Sequence, residues 1–134
     1  MAVILDSGVV VGFLDGEDAL HDAADAVVRE LVHGDRLLAS AVTYAEVMTG
    51  ARLGHHDEDQ VAGFFTGLLS GILPVDLAVA DRAADLRAKF KSLRMPDALI
   101  LATADTDPGV ASIVTGDRQL AKVSGLRCEV QLLR

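Results

Sequence analysis

The sequence is poor in the residues that mark several common protein classes. It has one cysteine, Cys128, so no internal disulfide can form, and it has no tryptophan and only 4% aromatic residues. The stacking platforms that grip single-stranded nucleic acid are therefore scarce. No G-x-G-x-x-G motif follows a predicted strand, which argues against dinucleotide binding. These absences favour a reducing compartment and disfavour a general RNA-binding module.

The N-terminus also lacks the features of a targeting signal. It has no basic leading segment, and Asp6 interrupts the apolar run at the start of the chain. A secretory signal needs both features, so we expect a cytoplasmic protein without a membrane segment. The chain has 134 residues, 51% of them hydrophobic, and no linker or internal repeat. It therefore fits a single domain spanning residues 1–134.

Positive charge is scarce overall but concentrated in one segment. The formal net charge is −8, which by itself argues against a nucleic-acid partner, because binding to phosphate depends mainly on lysine and arginine. The first quarter of the chain is strongly acidic. A later segment contains a basic cluster made of Arg82, Arg87, Lys89, Lys91 and Arg94. This cluster is a candidate RNA-binding face, with an ordinary solvated helix face as the alternative.

Short apolar segments alternate with helical patterns along the chain. Strands are predicted where apolar residues run without polar alternation, at 3–5, 37–39, 72–75, 112–115 and 128–130. Helices are predicted where apolar residues recur at helical spacing, at 7–13, 19–33, 43–53, 57–71, 76–90, 97–104 and 119–123. The first of these helices is expected to be capped by Ser7. This alternation predicts an α/β fold with a mostly parallel, short-stranded sheet flanked by helices.

Four acidic residues stand next to the predicted elements. Asp6 and Asp117 each follow a strand, whereas Glu46 and Asp97 lie near the starts of helical patterns. In such folds ligands bind beyond the carboxyl ends of the strands. Carboxylates that converge there need compensation, because two unit charges about 4 Å apart repel by roughly 4 kcal/mol at an effective dielectric of 20. A hard cation such as Mg²⁺ would supply it, and retained protons are the alternative.

Each acidic residue also has an explanation that involves no chemistry. Asp97 fits a helix N-cap, and Asp117 fits a turn. Thr43 and Glu46 match a capping box, in which the glutamate reaches back to the backbone N–H of the cap. Zinc is disfavoured in any case, because no histidine and cysteine have a zinc-type spacing.

The segments around these residues resemble a known family. They are, in order, Ile4-Leu5-Asp6-Ser7, Thr43-x-x-Glu46, Met95 to Ala104 (MPDALILATA) and Thr115-Gly116-Asp117. This order resembles that of the PIN-domain ribonucleases, and specifically that of the VapC-type toxins of VapBC toxin–antitoxin modules. The resemblance spans nearly the whole chain, and its most specific part is Pro-Asp-Ala-Leu-Ile followed by Ala-Thr-Ala and Thr-x-Asp. It implies a PIN-like three-layer sandwich.

The resemblance implies metal-dependent endonucleolytic cleavage of RNA with Mg²⁺ or Mn²⁺. The catalytic, metal-binding quartet of the family matches Asp6, Glu46, Asp97 and Asp117. Asp6 and Asp97 match the most direct metal ligands, and Ser7 and Thr115 match supporting hydroxyls beside the site. Gln119 stands where many relatives have a further acidic or polar residue, so the resemblance leaves open whether one or two metals bind.

The resemblance also implies protein partners. VapC-type toxins are held inactive by a cognate VapB-type antitoxin, which often places an arginine in the acidic pocket, and they usually form homodimers. A candidate surface for the antitoxin or for a second subunit is the helix that carries Phe64, Phe65, Leu68 and Leu69. Burial of this helix in the core is the alternative. In a homodimer the basic cluster would lie where RNA phosphate could reach it.

Other functions that begin with a strand and an aspartate fit less well. A phosphatase of the haloacid-dehalogenase type needs a second aspartate two residues later, where this chain has Gly8. A response-regulator receiver needs adjacent acidic residues at the first strand and a lysine before a late proline, and the chain has neither. A catalytically inactive, acidic α/β protein-binding module is the remaining alternative. The four carboxylates favour the nuclease, because an inactive site would be free to relieve their repulsion.

Overall fold

The computed structural model describes residues 1–133 and is built around a five-stranded sheet. The strands are β1 Ala2–Leu5, β2 Arg36–Ser40, β3 Gly71–Leu73, β4 Val110–Thr115 and β5 Glu129–Leu132. Their spatial order is β3-β2-β1-β4-β5, and every pairing is parallel. The predicted α/β fold with a parallel central sheet is therefore confirmed.

Helices cover both faces of this sheet. They are α1 Ser7–Leu14, α2 His21–Leu31, α3 Ala41–Arg52, α4 Glu58–Gly63, α5 Leu77–Lys89, α6 Met95–Thr106 and α7 Arg118–Ala121, and a π-helical turn, Phe64–Leu68, continues α4. Successive strand side chains point to opposite faces, so Ile4 packs with α5 and α6 whereas Leu5 packs with α1 to α4. Two apolar clusters therefore separate three layers.

The order of the strands creates a switch point beside β1. The chain first moves from β1 to β2 and β3 in one direction, and it then crosses back through α5 and α6 to place β4 and β5 on the other side of β1. The chain segments that follow β1 and β4 therefore leave the carboxyl ends of these strands toward opposite faces of the sheet. A crevice forms at such a position in parallel sheets, and it is where ligands bind.

Two predicted helix caps are wrong because a preceding polar residue supplies the cap. Asp6, not Ser7, caps α1, since its Oδ1 accepts a hydrogen bond from the backbone N–H of Ser7 at 2.8 Å. Ser40 caps α3 in the same way, by accepting from the backbone N–H of Val42 at 3.1 Å. Helix α3 therefore begins before Thr43, and the capping-box interpretation of this segment is wrong.

Helix α6 also begins earlier than predicted. It starts at Met95. Pro96 fits in the first turn because the N–H group that proline lacks would have no partner inside the helix. Asp97 consequently lies within the first turn and is not the N-cap. The N-cap is Arg94, whose side chain makes no capping hydrogen bond.

Several other boundaries differ from the prediction by a few residues. The helix expected at 57–71 ends in the π-helical turn, which closes when the backbone N–H of Leu69 donates to the carbonyl of Phe64 at 3.2 Å. Strand β3 ends at Leu73, β5 begins after Cys128, and α7 occupies only residues 118–121. No helix within residues 1–133 is long and apolar enough to cross a membrane.

Candidate active site

One cavity of about 300 Å³ lies at the carboxyl edge of the sheet. Four separate elements or their caps contribute acidic side chains to its lining, namely Asp6, Glu46, Asp97 and Asp117. The remaining lining residues are Ser7, Gly8, Leu20, Arg94 and Gly116. The structure therefore brings all four predicted acidic residues to a single cavity, although Asp6 and Asp117 lie near opposite ends of the sequence.

Asp6 is the most deeply buried of these acids. It follows β1 directly and is only 6% exposed, with Oδ1 fixed by the backbone N–H of Ser7. Its second oxygen, Oδ2, accepts a hydrogen bond of 2.7 Å from the hydroxyl of Thr115. The position of the carboxylate is thus set by the end of β1, by the start of α1 and by the end of β4.

The environment of Asp6 works against its negative charge. Burial raises the pKa of Asp6 above its ordinary value, and the neighbouring charges of Asp97 and Glu46 raise it further. Hydrogen bonds from Thr115 and Ser7 act in the opposite direction but do not reverse the shift. A cation next to Asp6 would remove this conflict, because it would favour the ionised carboxylate.

Thr115 links Asp6 to the fourth acidic residue. Its side chain is fully buried at the end of β4, and its Oγ1 accepts a hydrogen bond from the backbone N–H of Asp117 at 3.0 Å. Asp117 in turn caps α7, because its Oδ1 accepts from the backbone N–H of Gln119 at 2.8 Å. One hydroxyl therefore fixes both the carboxylate after β1 and the turn after β4.

Ser7 connects the cavity to α3. Its Oγ lies 2.8 Å from Oε1 of Glu46 and 3.1 Å from Oγ1 of Thr43, which is fully buried one helical turn earlier. A carboxylate only accepts, and Ser7 has one hydroxyl proton, so Ser7 donates to Glu46 and receives the proton of Thr43. This contact replaces the expected capping box. Thr43 was missed as a site residue, although its spacing from Glu46 already put both on one helix face.

Asp97 projects from the first turn of α6 and forms an ion pair within the cavity. Its Oδ2 accepts a hydrogen bond from Nε of Arg94 at 3.2 Å. The Asp97 side chain is 13% exposed, whereas that of Arg94 is 74% exposed. The carboxylate therefore belongs to the wall of the cavity, and the guanidinium group lies at its mouth.

The apolar part of the wall depends on a glycine. Leu20, which the sequence did not mark as a site residue, lies so close to Gly116 that a Cβ there would stand 2.4 Å from Cδ1 of the leucine. Gly116 therefore lets the chain between Thr115 and Asp117 pass directly beneath Leu20. The apolar pattern placed Leu20 inside the helix predicted at 19–33, but α2 begins at His21 and Leu20 is its N-cap, so the pattern did not mark it as a site residue.

The members of the predicted basic cluster have different surroundings. Arg82 forms an ion pair with Asp105 at 2.8 Å and donates to the carbonyl of Gly125, and Arg87 donates to the carbonyls of residues 91 and 93. Lys89 lies over the ring of Phe90, with Nζ 5.5 Å from its centre. Arg94 is the member of the cluster that lines the acidic cavity. An RNA-binding role for these residues stays a prediction.

The predicted apolar docking helix divides between the core and the surface. Phe64, Phe65 and Leu69 are buried, which matches the alternative of a core helix. Leu68 is partly exposed and, with Phe64, lines an apolar groove of about 290 Å³. The other lining residues of this groove are Phe13, Leu14 and Gln60. A docking role is therefore restricted to the outer edge of the helix.

The donor set of the cavity fits a hard divalent cation. Its charged oxygens all come from carboxylates, and no histidine or cysteine lines it. Within the described residues 1–133, no three His, Cys, Asp or Glu side chains stand close enough together to hold a metal ion by themselves. Mg²⁺ commonly takes one or two carboxylates directly and keeps several waters, so an open set of oxygen donors suits it better than it suits structural zinc.

Comparisons with known proteins agree with this geometry. The family model of the PIN domain matches residues 3–126. Among solved structures, VapBC2 from Rickettsia felis bound to a promoter DNA fragment is 16% identical, with a TM-score of 0.79 over 100% of both chains. A toxin–antitoxin complex from Klebsiella pneumoniae is 24% identical, with a TM-score of 0.72 over 92% of this chain and 93% of the other.

A third similar structure is VapC20 from Mycobacterium tuberculosis, described as a toxin that cleaves the sarcin–ricin loop. It is 16% identical, with a TM-score of 0.68 over 93% of this chain and 98% of the other. Comparison with curated protein sequences gave no match. The solved structures share the fold, and the family model covers nearly the whole chain. The chain belongs to the PIN-domain family.

Proposed function

We propose that this chain is a VapC-type toxin of a type II toxin–antitoxin pair. It would hydrolyse RNA phosphodiester bonds in the cytoplasm as a metal-dependent endoribonuclease, and a VapB-type antitoxin would neutralise it. The observation that carries the proposal is the single cavity lined by Asp6, Glu46, Asp97 and Asp117. Membership of the PIN-domain family supports the assignment of this cavity to nuclease chemistry.

The acidic residues divide into two groups in this proposal. Asp6 and Asp97, the two buried members, would hold Mg²⁺ or Mn²⁺ directly, and Glu46 and Asp117 would orient the waters around it. A bound cation of this kind supplies an activated water and stabilises negative charge on the phosphate oxygens. No covalent nucleophile from the protein is required.

The hydroxyl groups have positioning roles. Thr115 holds the metal-binding carboxylate of Asp6 at 2.7 Å, and Ser7 holds Glu46 at 2.8 Å. Both contacts restrict carboxylate rotation before any ligand arrives, which reduces the conformational entropy lost on binding. Ser7 also lines the cavity, and a phosphate oxygen there would compete with Glu46 for its one hydroxyl proton.

The antitoxin would bind at the apolar groove between α1 and the π-helical turn. The groove is lined by the partly exposed Phe13, Leu14 and Leu68 above the buried Phe64, and such an apolar lining suits the apolar face of an amphipathic segment. The similar structures from Rickettsia felis and Klebsiella pneumoniae are those of toxin–antitoxin assemblies. A basic side chain of the partner that reached the acidic cavity would compensate its charge in place of the cation.

We further propose that the toxin forms a homodimer and that RNA follows a groove past the exposed members of the basic cluster. Lys91 and Arg94 are exposed, whereas Arg82 and Arg87 are engaged by acceptors of their own chain. The exposed members are therefore the better candidates for contact with phosphate.

Light scattering coupled to size-exclusion chromatography measures the molecular mass of the protein in solution. A monomeric mass at micromolar concentration would contradict the dimer.

RNA cleavage by the purified protein tests the proposed activity. Structured RNAs, including a sarcin–ricin loop hairpin, are incubated with Mg²⁺ or Mn²⁺ and, in parallel, with EDTA. We expect cleavage that requires the metal and that falls by about a thousandfold or more in Asp6→Asn and Asp97→Asn, because each removes a charged ligand of the cation.

Asp25→Asn is a matched control for these variants. Asp25 is also an aspartate in an ion pair with an arginine, but it lies on α2 and not in the cavity. This variant should cleave RNA as the wild type does. Cleavage that persists in EDTA, or full activity of Asp6→Asn and Asp97→Asn, would contradict the proposal and favour a protein-binding module.

Induction in a bacterium tests the biological part of the proposal. Expression of the wild type should arrest growth, and co-expression of the small open reading frame beside its gene should relieve the arrest. The Asp97→Asn variant should not arrest growth but should still bind the antitoxin, because the apolar groove is unchanged. Sequencing of RNA ends soon after induction would identify the cleaved RNA.

A further inference from the structure

Arg94 occupies a position that none of the other basic residues of its segment shares. It lines the acidic cavity, and its Nε lies 3.2 Å from Oδ2 of Asp97. Among residues 1–133 it forms no ion pair with a second carboxylate. Its side chain is 74% exposed, so most of its donor groups face solvent at the mouth of the cavity.

The neighbouring arginines are held in place by several contacts each. Arg82 is fixed by Asp105 and by the carbonyl of Gly125, so it ties α5 to the end of α6 and to the loop before β5. Arg87 is fixed by two carbonyls of the loop between α5 and α6. Arg94 is bound by one contact only and can leave it without disturbing the fold.

Asp97 therefore has two possible positively charged partners, Arg94 and a divalent cation. A divalent cation that binds Oδ2 would share that oxygen with the N–H group of Arg94, and the two positive charges would repel each other. A cation that binds the other oxygen of the carboxylate still reduces the attraction of the carboxylate for the guanidinium group. In both cases the cation and Arg94 compete for the same negative charge, and the binding of one weakens the binding of the other.

In an RNA nuclease, a guanidinium group that has left Asp97 would be free to bind a phosphate group of the RNA. Four carboxylates and one arginine line the cavity, so even a bound divalent cation leaves an excess of negative charge if all four carboxylates are ionised. This excess opposes the approach of a phosphodiester. The planar fork of an arginine binds phosphate oxygens through paired hydrogen bonds, and Arg94 stands at the mouth where the substrate would enter.

We propose that Arg94 is an exchangeable counter-ion of the site: it pairs with Asp97 in the metal-free protein, yields to the divalent cation, and then binds the RNA phosphate. This inference rests on the proposed nuclease function and adds a residue to it. The exchange has two separately measurable consequences, one on binding of the metal and one on binding of RNA. The first needs no RNA, so it stays testable even if the wild type cleaves no substrate.

The metal step is tested by calorimetric titration of the protein with Mn²⁺ and Mg²⁺. Arg94→Gln removes the competing charge, and we expect its Kd for the metal to be about two- to fivefold lower, which corresponds to the loss of one exposed ion pair. Arg29→Gln is the matched control, because Arg29 is also 74% exposed and pairs with an aspartate of its own helix outside the cavity. Its metal Kd should equal that of the wild type.

Thermal unfolding checks the same competition without calorimetry. Arg94→Gln should melt below the wild type in EDTA, where the ion pair exists, and the difference should shrink in saturating metal, where the pair is already replaced. A metal Kd unchanged in Arg94→Gln, together with a melting difference that is equal with and without metal, would overturn the exchange.

The RNA step is tested by steady-state cleavage at saturating metal. Arg94→Gln should raise KM about tenfold with a smaller change in kcat, and Arg94→Lys should restore part of the loss, because it keeps the charge but not the fork. A plot of log KM against log salt concentration should become less steep by about the amount that one phosphate contact contributes. An unchanged KM and salt slope in Arg94→Gln would overturn the phosphate role, whereas a wild type that cleaves nothing would overturn the nuclease proposal itself.

Discussion

Removal of one hydroxyl group, that of Thr115, should disturb both carboxylates that follow β1 and β4. The hydroxyl donates to Oδ2 of Asp6 at 2.7 Å and accepts from the backbone N–H of Asp117 at 3.0 Å, in a side chain that is fully buried. Thr115→Val keeps the size and β-branching of the side chain but deletes both hydrogen bonds. We expect this variant to be less stable and to bind metal more weakly.

The magnitude follows from the two contacts. A hydrogen bond to a charged acceptor contributes about 1.5–3 kcal/mol, and a buried backbone N–H left without an acceptor costs about 1 kcal/mol or more. Asp6 is only 6% exposed, so water cannot readily replace the lost donor. The free energy of unfolding should therefore fall by about 2–4 kcal/mol near neutral pH.

The size of this effect should depend on pH in a fixed direction. Burial, with smaller contributions from Asp97 and Glu46, raises the pKa of Asp6, and the hydrogen bond from Thr115 lowers it. The folded protein thus holds the Asp6 proton more tightly than the unfolded chain, and stability is lost as pH rises from the unfolded towards the folded pKa. Thr115→Val raises the folded pKa further. Its destabilisation should therefore be smallest in acid, where only the contact with the N–H of Asp117 is lost, and should grow as pH increases through that window.

Denaturant unfolding in EDTA at about pH 4 and about pH 7 measures this difference. Thr115→Ser is the control, because it keeps the hydroxyl and loses only a methyl group, so its destabilisation should be nearly independent of pH. The double variant Thr115→Val with Asp6→Asn completes a double-mutant cycle. It measures the effect of Thr115→Val when the ionisable carboxyl group at position 6 is absent. The reasoning is refuted if Thr115→Val is destabilised equally at both pH values, or if its pH dependence survives in the Asp6→Asn background.

Three further predictions concern the metal, the Ser7 contact and the scaffold. Mg²⁺ at 100 times its Kd should stabilise the wild type by about 2.7 kcal/mol in thermal unfolding, and Asp6→Asn should abolish this gain. Ser7→Ala should lower RNA cleavage about tenfold with less than about 1 kcal/mol loss of stability, because it frees the exposed Glu46, and cleavage equal to wild type would contradict this role. Arg127→Met should lower the free energy of unfolding by about 1–2 kcal/mol in urea without changing metal affinity, because its side chain donates to the carbonyls of residues 104, 105, 107 and 110.

The position of the acidic site was predictable because it depends on rules that act along the whole chain. Apolar strands separated by helices imply a parallel sheet, and the ends of parallel strands share one edge. Asp6 and Asp117 follow directly from this rule, since each is the first or second residue after a central strand. Asp97 and Glu46 required the family resemblance, because helix register alone does not say which face meets the crevice.

The contacts that organise the site were less predictable, because they depend on which of several neighbouring polar groups forms a hydrogen bond. Two candidates exist for each of two helix caps, and only packing selects between them: Asp6 or Ser7 for α1, and Ser40 or Thr43 for α3. The contacts of the basic cluster were unpredictable for a similar reason. Arg82 finds its partners in residues 105 and 125, which are distant in sequence and carry no pattern that announces the contact.

The hydrogen-bonding needs of the fold do not explain why the cavity is charged. Asp6 and Asp117 cap α1 and α7, but asparagine or serine caps a helix about as well and brings no charge. A neutral residue at position 6 would also escape the burial and repulsion that raise the pKa of Asp6. The charge is therefore a feature that local structure tolerates and does not require. The proposed function would account for it, because a bound cation would offset the repulsion between these carboxylates.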